Sequence, residues 1–420
     1  MSSWRILSST MIKMRMMGVP MRKTGGGQEV AARGMSTMRA AVVSSLASKT
    51  GASDWALKVE RLQQPKKPRV GEVLLEVQAC GVCHTDLHVL QNDIGFPVPS
   101  VLGHEVVGKV AAIGENVPES LKGMRVAAAF IMPCLDCHEC DSGREEMCVN
   151  FFKENRAKGC LYDGDTRLMR TDGQDVAQYS MGGLAELCVT PASSVAPIPE
   201  SVLRTKDDAA INELAIVGCA MFTAYGAVHN TAKLKHGESA CVIGVGGIGS
   251  GAVQLLRAAG ASKIIAVDVS TEKLDRAVAL GATACVDASG KEPHEVAAEV
   301  IKLSGGDGVD AAFEALGRSN TVEAAIAAVK PGGRCALIGL AHAAEFGRFA
   351  ITPLVRRQVA ILGSYGARAS TDLKAILSLI EKGQIDVGAN ISRRFDLDGA
   401  DTAYRQLQRG EIVGRAIVEM

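Results

Sequence analysis

Four cysteines, Cys134, Cys137, Cys140 and Cys148, fall within 15 residues in the pattern CxxCxxCx7C. Three thiols on one tight loop and a fourth that closes it can place four sulfurs about a tetrahedral zinc ion at ~2.3 Å. In a reducing compartment such thiols stay free for metal instead of pairing. Pro133, Gly143 and the charged spacers leave no packing role for so many thiols at once. All four ligands would come from the chain, so this zinc would be structural, with no position open to a substrate. A second set of metal-type ligands is dispersed: Cys83 in Gly81-Val-Cys-His-Thr-Asp86, His104 in Gly103-His-Glu105, and Cys219 in Gly218-Cys-Ala220. Each alone means little, because a lone buried Cys is usually a core residue.

A third chemistry-bearing stretch is Gly244-Val-Gly246-Gly247-Ile248-Gly249, which follows the apolar run Ala240-Cys-Val-Ile243 and precedes the apolar Ala252-Val-Gln-Leu-Leu256. Strand, glycine turn and helix in that order form a dinucleotide cradle: a tight turn, close backbone approach to a pyrophosphate, and a helix N-terminus facing it. The next apolar run ends at Asp268, 19 residues after Gly249, where a carboxylate would bind the adenosine ribose and repel a 2′-phosphate. The expected cofactor is therefore NAD in preference to NADP.

The elements that must hold these groups read as two kinds. Met38–Val43 and Gly71–Val77 show short apolar stretches broken by Gly and Pro, which indicates β structure up to about residue 130. From Ser239 onward, continuous apolar runs (240–243, 263–267, 334–338) alternate with helical stretches such as Lys273–Leu280. That is the signature of βαβ units on a parallel sheet buried on both faces. Residues 150–182 read as a long polar loop region, of the length usually reserved for function or an interface. At 420 residues, with 47% hydrophobic and 22% charged side chains, the chain suits two or three packed domains and not a disordered or fibrous one. Its formal net charge of zero gives no bulk attraction for nucleic acid or an anionic membrane. No apolar run reaches the ~18–20 residues needed to cross a bilayer.

These motifs, in this order, resemble the zinc-dependent medium-chain alcohol dehydrogenases, from Met38 to Met420. The resemblance implies an α/β architecture: a doubly wound Rossmann cofactor domain at 221–362, set into a mostly β, chaperonin-10-like catalytic domain at 38–220 and 363–420. It implies that Cys83, His104 and Cys219 bind a catalytic zinc, the second of two per chain, that Glu105 is a carboxylate able to approach it, and that Asp86 holds the zinc histidine. Thr85 and His88 match a proton relay that passes by the nicotinamide ribose. His84 matches a basic position at the pyrophosphate where Arg is commoner, Arg415 a C-terminal arginine there, and Lys273 a lysine near the adenosine ribose. Thr223 matches a threonine beside the nicotinamide, and Phe130 an aromatic lining the substrate pocket. The implied reaction is NAD-dependent interconversion of a primary, or secondary, alcohol with its aldehyde or ketone. A glutathione-dependent formaldehyde dehydrogenase-like enzyme and a non-catalytic NAD- and zinc-binding scaffold are the alternatives. The loop after Cys148 resembles that of the dimeric branch, so a homodimer is expected.

Residues 1–37 read as a separate leader. The first 35 carry six basic side chains against one acid, Glu29, and seven of the 15 Met. That is the composition of an import signal, with a disordered leader as the other reading, so a mitochondrial location is expected, with plastid or cytoplasm as alternatives. The rest of the chain then holds 40 basic and 45 acidic residues, and it must draw an anionic dinucleotide by local devices.

Overall fold

The glycine turn sits on a six-stranded parallel sheet, in the order Ala284–Asp287, Lys263–Asp268, Ser239–Ile243, Val309–Glu314, Val329–Leu337 and Ala360–Gly363. The computed structural model describes residues 36–50, 54–341 and 345–420, and residues 1–35 of the expected leader lie outside them. Along Ser239–Ile243, Ala240 and Val242 enter one hydrophobic core while Cys241 and Ile243 enter another. A strand packed on both faces must be apolar at every position, which is why its sequence does not alternate. Helices Gly247–Ala258, Thr271–Leu280, Pro293–Ser304 and Ser319–Ala328 connect these strands.

The remaining strands form two further sheets. The larger runs Val195–Pro197, Arg125–Ala128, Val106–Ile113, Glu72–Val82, Arg415–Glu419 and Ile391–Asp396, with Leu187–Pro191 also paired to Glu72–Val82. The smaller joins Ala56–Gln63, Thr37–Ser45, Ser100–Val101, Asp175–Gln178 and Leu168–Met169. The C-terminal strand thus returns to lie antiparallel to the strand that ends at Val82, with Ala416 opposite Val82. This pairing sets Arg415 beside Cys83, 332 positions away in the chain. Ser36–Met420 forms one compact unit.

The polar loop expected at 150–182 is instead an ordered piece of the β structure. It opens on a π-helical turn, Phe151–Arg156, and contains the short strands Leu168–Met169 and Asp175–Gln178. Phe151, Asn155, Leu161, Val176 and Tyr179 within it are buried. Strands of two and four residues are too short for an alternating pattern to show, and Asn155, Gln178 and Ser180 are polar residues buried among the apolar ones.

Candidate active site

Cys83 is the last residue before helix His84–Leu90, at the end of strand Glu72–Val82. His104 and Glu105 precede strand Val106–Ile113, and Cys219 precedes helix Ala220–Tyr225. The fold gathers ligand atoms of all four within 4.8 Å of one another, and all four side chains are buried. Two thiols, an imidazole and a carboxylate, all shut away from water, form a donor set that fits zinc. Glu105 is already ion-paired to Arg415, so three of the four ligands are free for a metal, the number that leaves an open position in a catalytic zinc site.

Neighbouring groups aim each ligand. Asp86, fully buried, lies 3.0 Å from His104 Nδ1 and accepts a hydrogen bond from the Tyr404 hydroxyl at 3.0 Å. This holds the proton on Nδ1 and turns Nε2 toward Cys83 and Cys219. Burial opposes a charge on His104, but Asp86 and the Cys83 sulfur outweigh it and hold the imidazole pKa up at about 10. The hydrogen bond from Cys219 holds the Cys83 thiol well below its usual range, while the same contact, with burial, pushes Cys219 up. Burial raises Glu105 to about 7 even though Arg415 pulls the other way. Metal binding here must displace protons. Gly81 is required at its position, since a side chain there would occupy the space of the Glu105 carboxylate.

The four-cysteine loop is also assembled. Cys134, Cys137, Cys140 and Cys148 bring their sulfurs within 4.8 Å of one another, with Cys134 Sγ and Cys140 Sγ 4.0 Å apart. Zn–S bonds of ~2.3 Å at tetrahedral angles require sulfurs about 3.8 Å apart, so the loop fits the ion. Burial pushes Cys148 to about 11 and Cys140 higher still, whereas the backbone N–H groups of Cys140 and Val149 bring Cys137 down to about 6 against burial.

The buried ligand cluster opens onto a cleft of about 930 Å³. One wall is the glycine turn. Gly244 has φ +86°, the left-handed region that favours glycine, and a side chain at Gly249 would collide with the Gly244 carbonyl. Gly246, Gly247, Ile248 and Gly249 line the cleft, as do Thr85, His88, His84, Thr223, Phe130, Lys273 and Arg415. Asp268 is buried and does not itself line the cleft, its carboxylate accepting from the N–H groups of Val245, Val269 and Ser270, with Lys273 Nζ 3.9 Å away. Thr85 Oγ1 lies 3.6 Å from Cys83 Sγ. His88 is half-exposed and its Nδ1 is 3.0 Å from Asp93. His84 is exposed at the cleft, though the protein around it pushes its pKa down. Arg415, expected at the pyrophosphate, is buried against Gly247 and Glu105.

Three contributors were not legible in the sequence. Tyr404 braces Asp86 from a distant helix. Glu314, fully buried, accepts from the N–H groups of Leu316 and Gly317 and from the Thr321 hydroxyl, and so shapes the stretch of cleft wall that packs against Gly244. Tyr365 lines the cleft and packs edge-on to Phe130 at 5.6 Å. No spacing motif marks any of them.

Comparison with known proteins agrees with this geometry. Residues 69–200 match the alcohol dehydrogenase GroES-like domain, and residues 247–382 match the zinc-binding dehydrogenase domain. An S-(hydroxymethyl)glutathione dehydrogenase of Escherichia coli is 32% identical over 355 residues, 83% of this chain and 93% of that one. The benzyl alcohol dehydrogenase of Acinetobacter calcoaceticus superposes with a TM-score of 0.80 at 25% identity, covering 92% of this chain and 99% of that one. A putative zinc-binding dehydrogenase from Sinorhizobium meliloti, bound to NADP, superposes with a TM-score of 0.74 at 26% identity over 92% and 100% of the two chains. With its paired domains, buried ligand cluster and glycine-walled cleft, the chain belongs to the zinc-dependent medium-chain alcohol dehydrogenase family.

Proposed function

We propose that Cys83, His104 and Cys219 hold a catalytic zinc at the floor of the cleft, where an alcohol and its aldehyde are interconverted against NAD. The observation that carries this reading is the convergence of three buried metal-type ligands at the inner end of a cleft walled by the glycine turn. When bound, zinc supplies Lewis-acid polarisation of the substrate oxygen, and NAD supplies the two-electron acceptor.

The chain's own residues do the rest. Phe130 and Thr223 bound the reacting space and exclude water from it. The Thr85 hydroxyl, at the margin of the ligand cluster, is placed to take or return the substrate proton. His88 faces solvent as well as the cleft, and its contact with Asp93 leaves Nε2 to exchange that proton with water. The N-terminus of helix Gly247–Ala258, with Arg415 and His84, would bind the pyrophosphate, and Asp268 and Lys273 the adenosine ribose. Arg415 must then divide its charge between Glu105 and the cofactor. The negative charge of Asp268 favours NAD over NADP. Cys134, Cys137, Cys140 and Cys148 would hold the second, structural zinc.

The test is oxidation of NADH and NADPH by a panel of aldehydes, together with zinc content. Two zinc ions per chain and turnover of simple aldehydes are expected; one zinc and no turnover would favour a binding scaffold. The Escherichia coli relative gives a second reading, action on a glutathione adduct, for which formaldehyde must be turned over only when glutathione is present.

Two finer readings accompany this one. A homodimer is supported by the exposed apolar side chains Phe346, Phe349, Ile351 and Val355 beside Ala360–Gly363, the outermost strand of the parallel sheet. Light scattering of the purified chain tests it. Residues 1–37 would direct import into mitochondria, and a fusion of the first 40 residues to a fluorescent protein that stays diffuse in the cytosol would refute this.

A further inference from the structure

Next to the reacting space the chain buries a positive charge that the mechanism above does not use. Arg156, at the end of the π-helical turn Phe151–Arg156, stands over the ring of Tyr179 at 3.9 Å, Phe151 at 4.7 Å and Phe130 at 5.7 Å. Its three guanidinium nitrogens are shut off from solvent, and none has a hydrogen-bond partner among the described residues. Ring faces attract the cation but offer the N–H edges no acceptor. A buried guanidinium with unmet donors is costly unless something negative completes it.

Its position is built. The Asn155 side chain is fully buried, donates to the carbonyls of Cys160, Gln178 and Ser180, and accepts the Ser180 N–H at 2.9 Å. Ser180 Oγ in turn donates to the Phe130 carbonyl at 2.9 Å. One polar network therefore holds the backbone beside Arg156 and Tyr179 against that of Phe130. Both rings also pack edge-on against the imidazole of His104, Tyr179 at 5.9 Å and Phe130 at 6.0 Å between centroids. The guanidinium is thus one aromatic ring away from the zinc ligand, behind the Phe130 side chain that lines the cleft.

We propose that Arg156 is a specificity-determining residue that binds a carboxylate on the substrate, so that the preferred substrates are short ω-oxo carboxylates and the corresponding ω-hydroxy carboxylates. The inference rests on the alcohol dehydrogenase reading above. The hydride and proton add to the aldehyde carbon and oxygen as in any substrate of that reaction, and the carboxylate is not altered. The donors lie behind the Phe130 and Tyr179 rings, so the acceptor meets them as those rings turn around it, the scale of side-chain adjustment common at binding sites.

The experiment compares 4-oxobutanoate, 5-oxopentanoate and 6-oxohexanoate with butanal, pentanal and hexanal, using the zinc-loaded enzyme and NADH or NADPH. At least one oxo acid is expected to exceed its neutral counterpart 100-fold or more in kcat/KM. Arg156→Gln should remove most of that preference, chiefly through KM, with a much smaller loss on the neutral aldehyde, and Arg156→Lys should restore part of it. Equal loss on both classes would overturn the proposal and leave Arg156 as a clamp on the aromatic wall. Wild-type turnover of neutral aldehydes without preference for oxo acids would overturn it while the dehydrogenase reading stood. Turnover of neither class would overturn both. Should the variants not fold, the wild-type comparison of 5-oxopentanoate with its methyl ester decides: equal kcat/KM refutes a carboxylate site.

Discussion

Replacing Asp86 by Asn changes only the charge and one acceptor of a buried carboxylate, and its effect can be worked out from three contacts. Asp86 Oδ1 lies 3.0 Å from His104 Nδ1 and 3.4 Å from the Gly103 nitrogen, while Oδ2 takes the Tyr404 hydroxyl at 3.0 Å. An amide offers one acceptor oxygen where the carboxylate offers two. If that oxygen stays toward His104, the imidazole keeps its tautomer but loses a charged acceptor. If it turns to Tyr404, the amide N–H₂ faces Nδ1 and drives the ring proton to Nε2, the nitrogen needed for metal. Hydrogen bonds to charged groups contribute about 1.5–3 kcal/mol, and loss of such an outer partner lowers metal affinity by roughly 10–100-fold, about 1.4–2.8 kcal/mol. Asp86→Asn should therefore weaken zinc at Cys83, His104 and Cys219 by that factor and leave the four-cysteine loop untouched. Competition against a coloured chelator, with two zinc ions per chain at the start, reads both sites in one titration. Tyr404→Phe is the control, because it deletes a hydrogen bond without disturbing the tautomer, and it should lower thermal stability more than zinc affinity. Unchanged affinity in Asp86→Asn, or equal loss from both sites, would refute the reasoning.

Gly249→Ala should abolish NADH binding or folding, because the added carbon collides with the Gly244 carbonyl; fluorescence titration giving a Kd within threefold of wild type would contradict this. Asp268→Asn keeps an acceptor for the Val269 and Ser270 N–H groups, gives up the one for Val245 and removes the charge, so the ratio of NAD to NADP kcat/KM should fall tenfold or more, and an unchanged ratio would dismiss the carboxylate as the discriminator. Zinc added to the metal-free chain at pH 7 should release protons, since Cys148 at about 11, Cys140 above it and His104 at about 10 hold theirs until metal arrives. Raised ligand pKa values mean that proton competition grows as pH falls, so affinity should drop steadily from pH 8 to 6; pH-independent binding measured with the same chelator would be the contrary result.

Local signals were strong where a site is contiguous in the chain. The four-cysteine loop and the glycine turn each need a fixed spacing within about 15 residues, so their purpose can be read without a fold. The buried strands were legible for a similar reason: Ala240 to Ile243 must satisfy two cores and carries no polar residue. Cys83, His104 and Cys219 carried no such signal individually, and only the resemblance of their flanking motifs joined them. The 150–182 segment misled as a polar loop because its buried polar residues, Asn155, Gln178 and Ser180, satisfy one another or the backbone.

The sequence by itself determined the two chemistries, thiol and imidazole ligands for zinc and a glycine turn for a dinucleotide, because each depends on residue type and short-range spacing. Tertiary structure alone decided how their charges are balanced. Arg415 meets Glu105 because the C-terminal strand pairs beside the strand that ends at Val82, and Tyr404 reaches Asp86 across 318 positions of chain. Arg156 is left without an acceptor because a network through Asn155 and Ser180 holds it among rings. Such pairings arise from contacts between distant segments, for which a single sequence carries no period or motif.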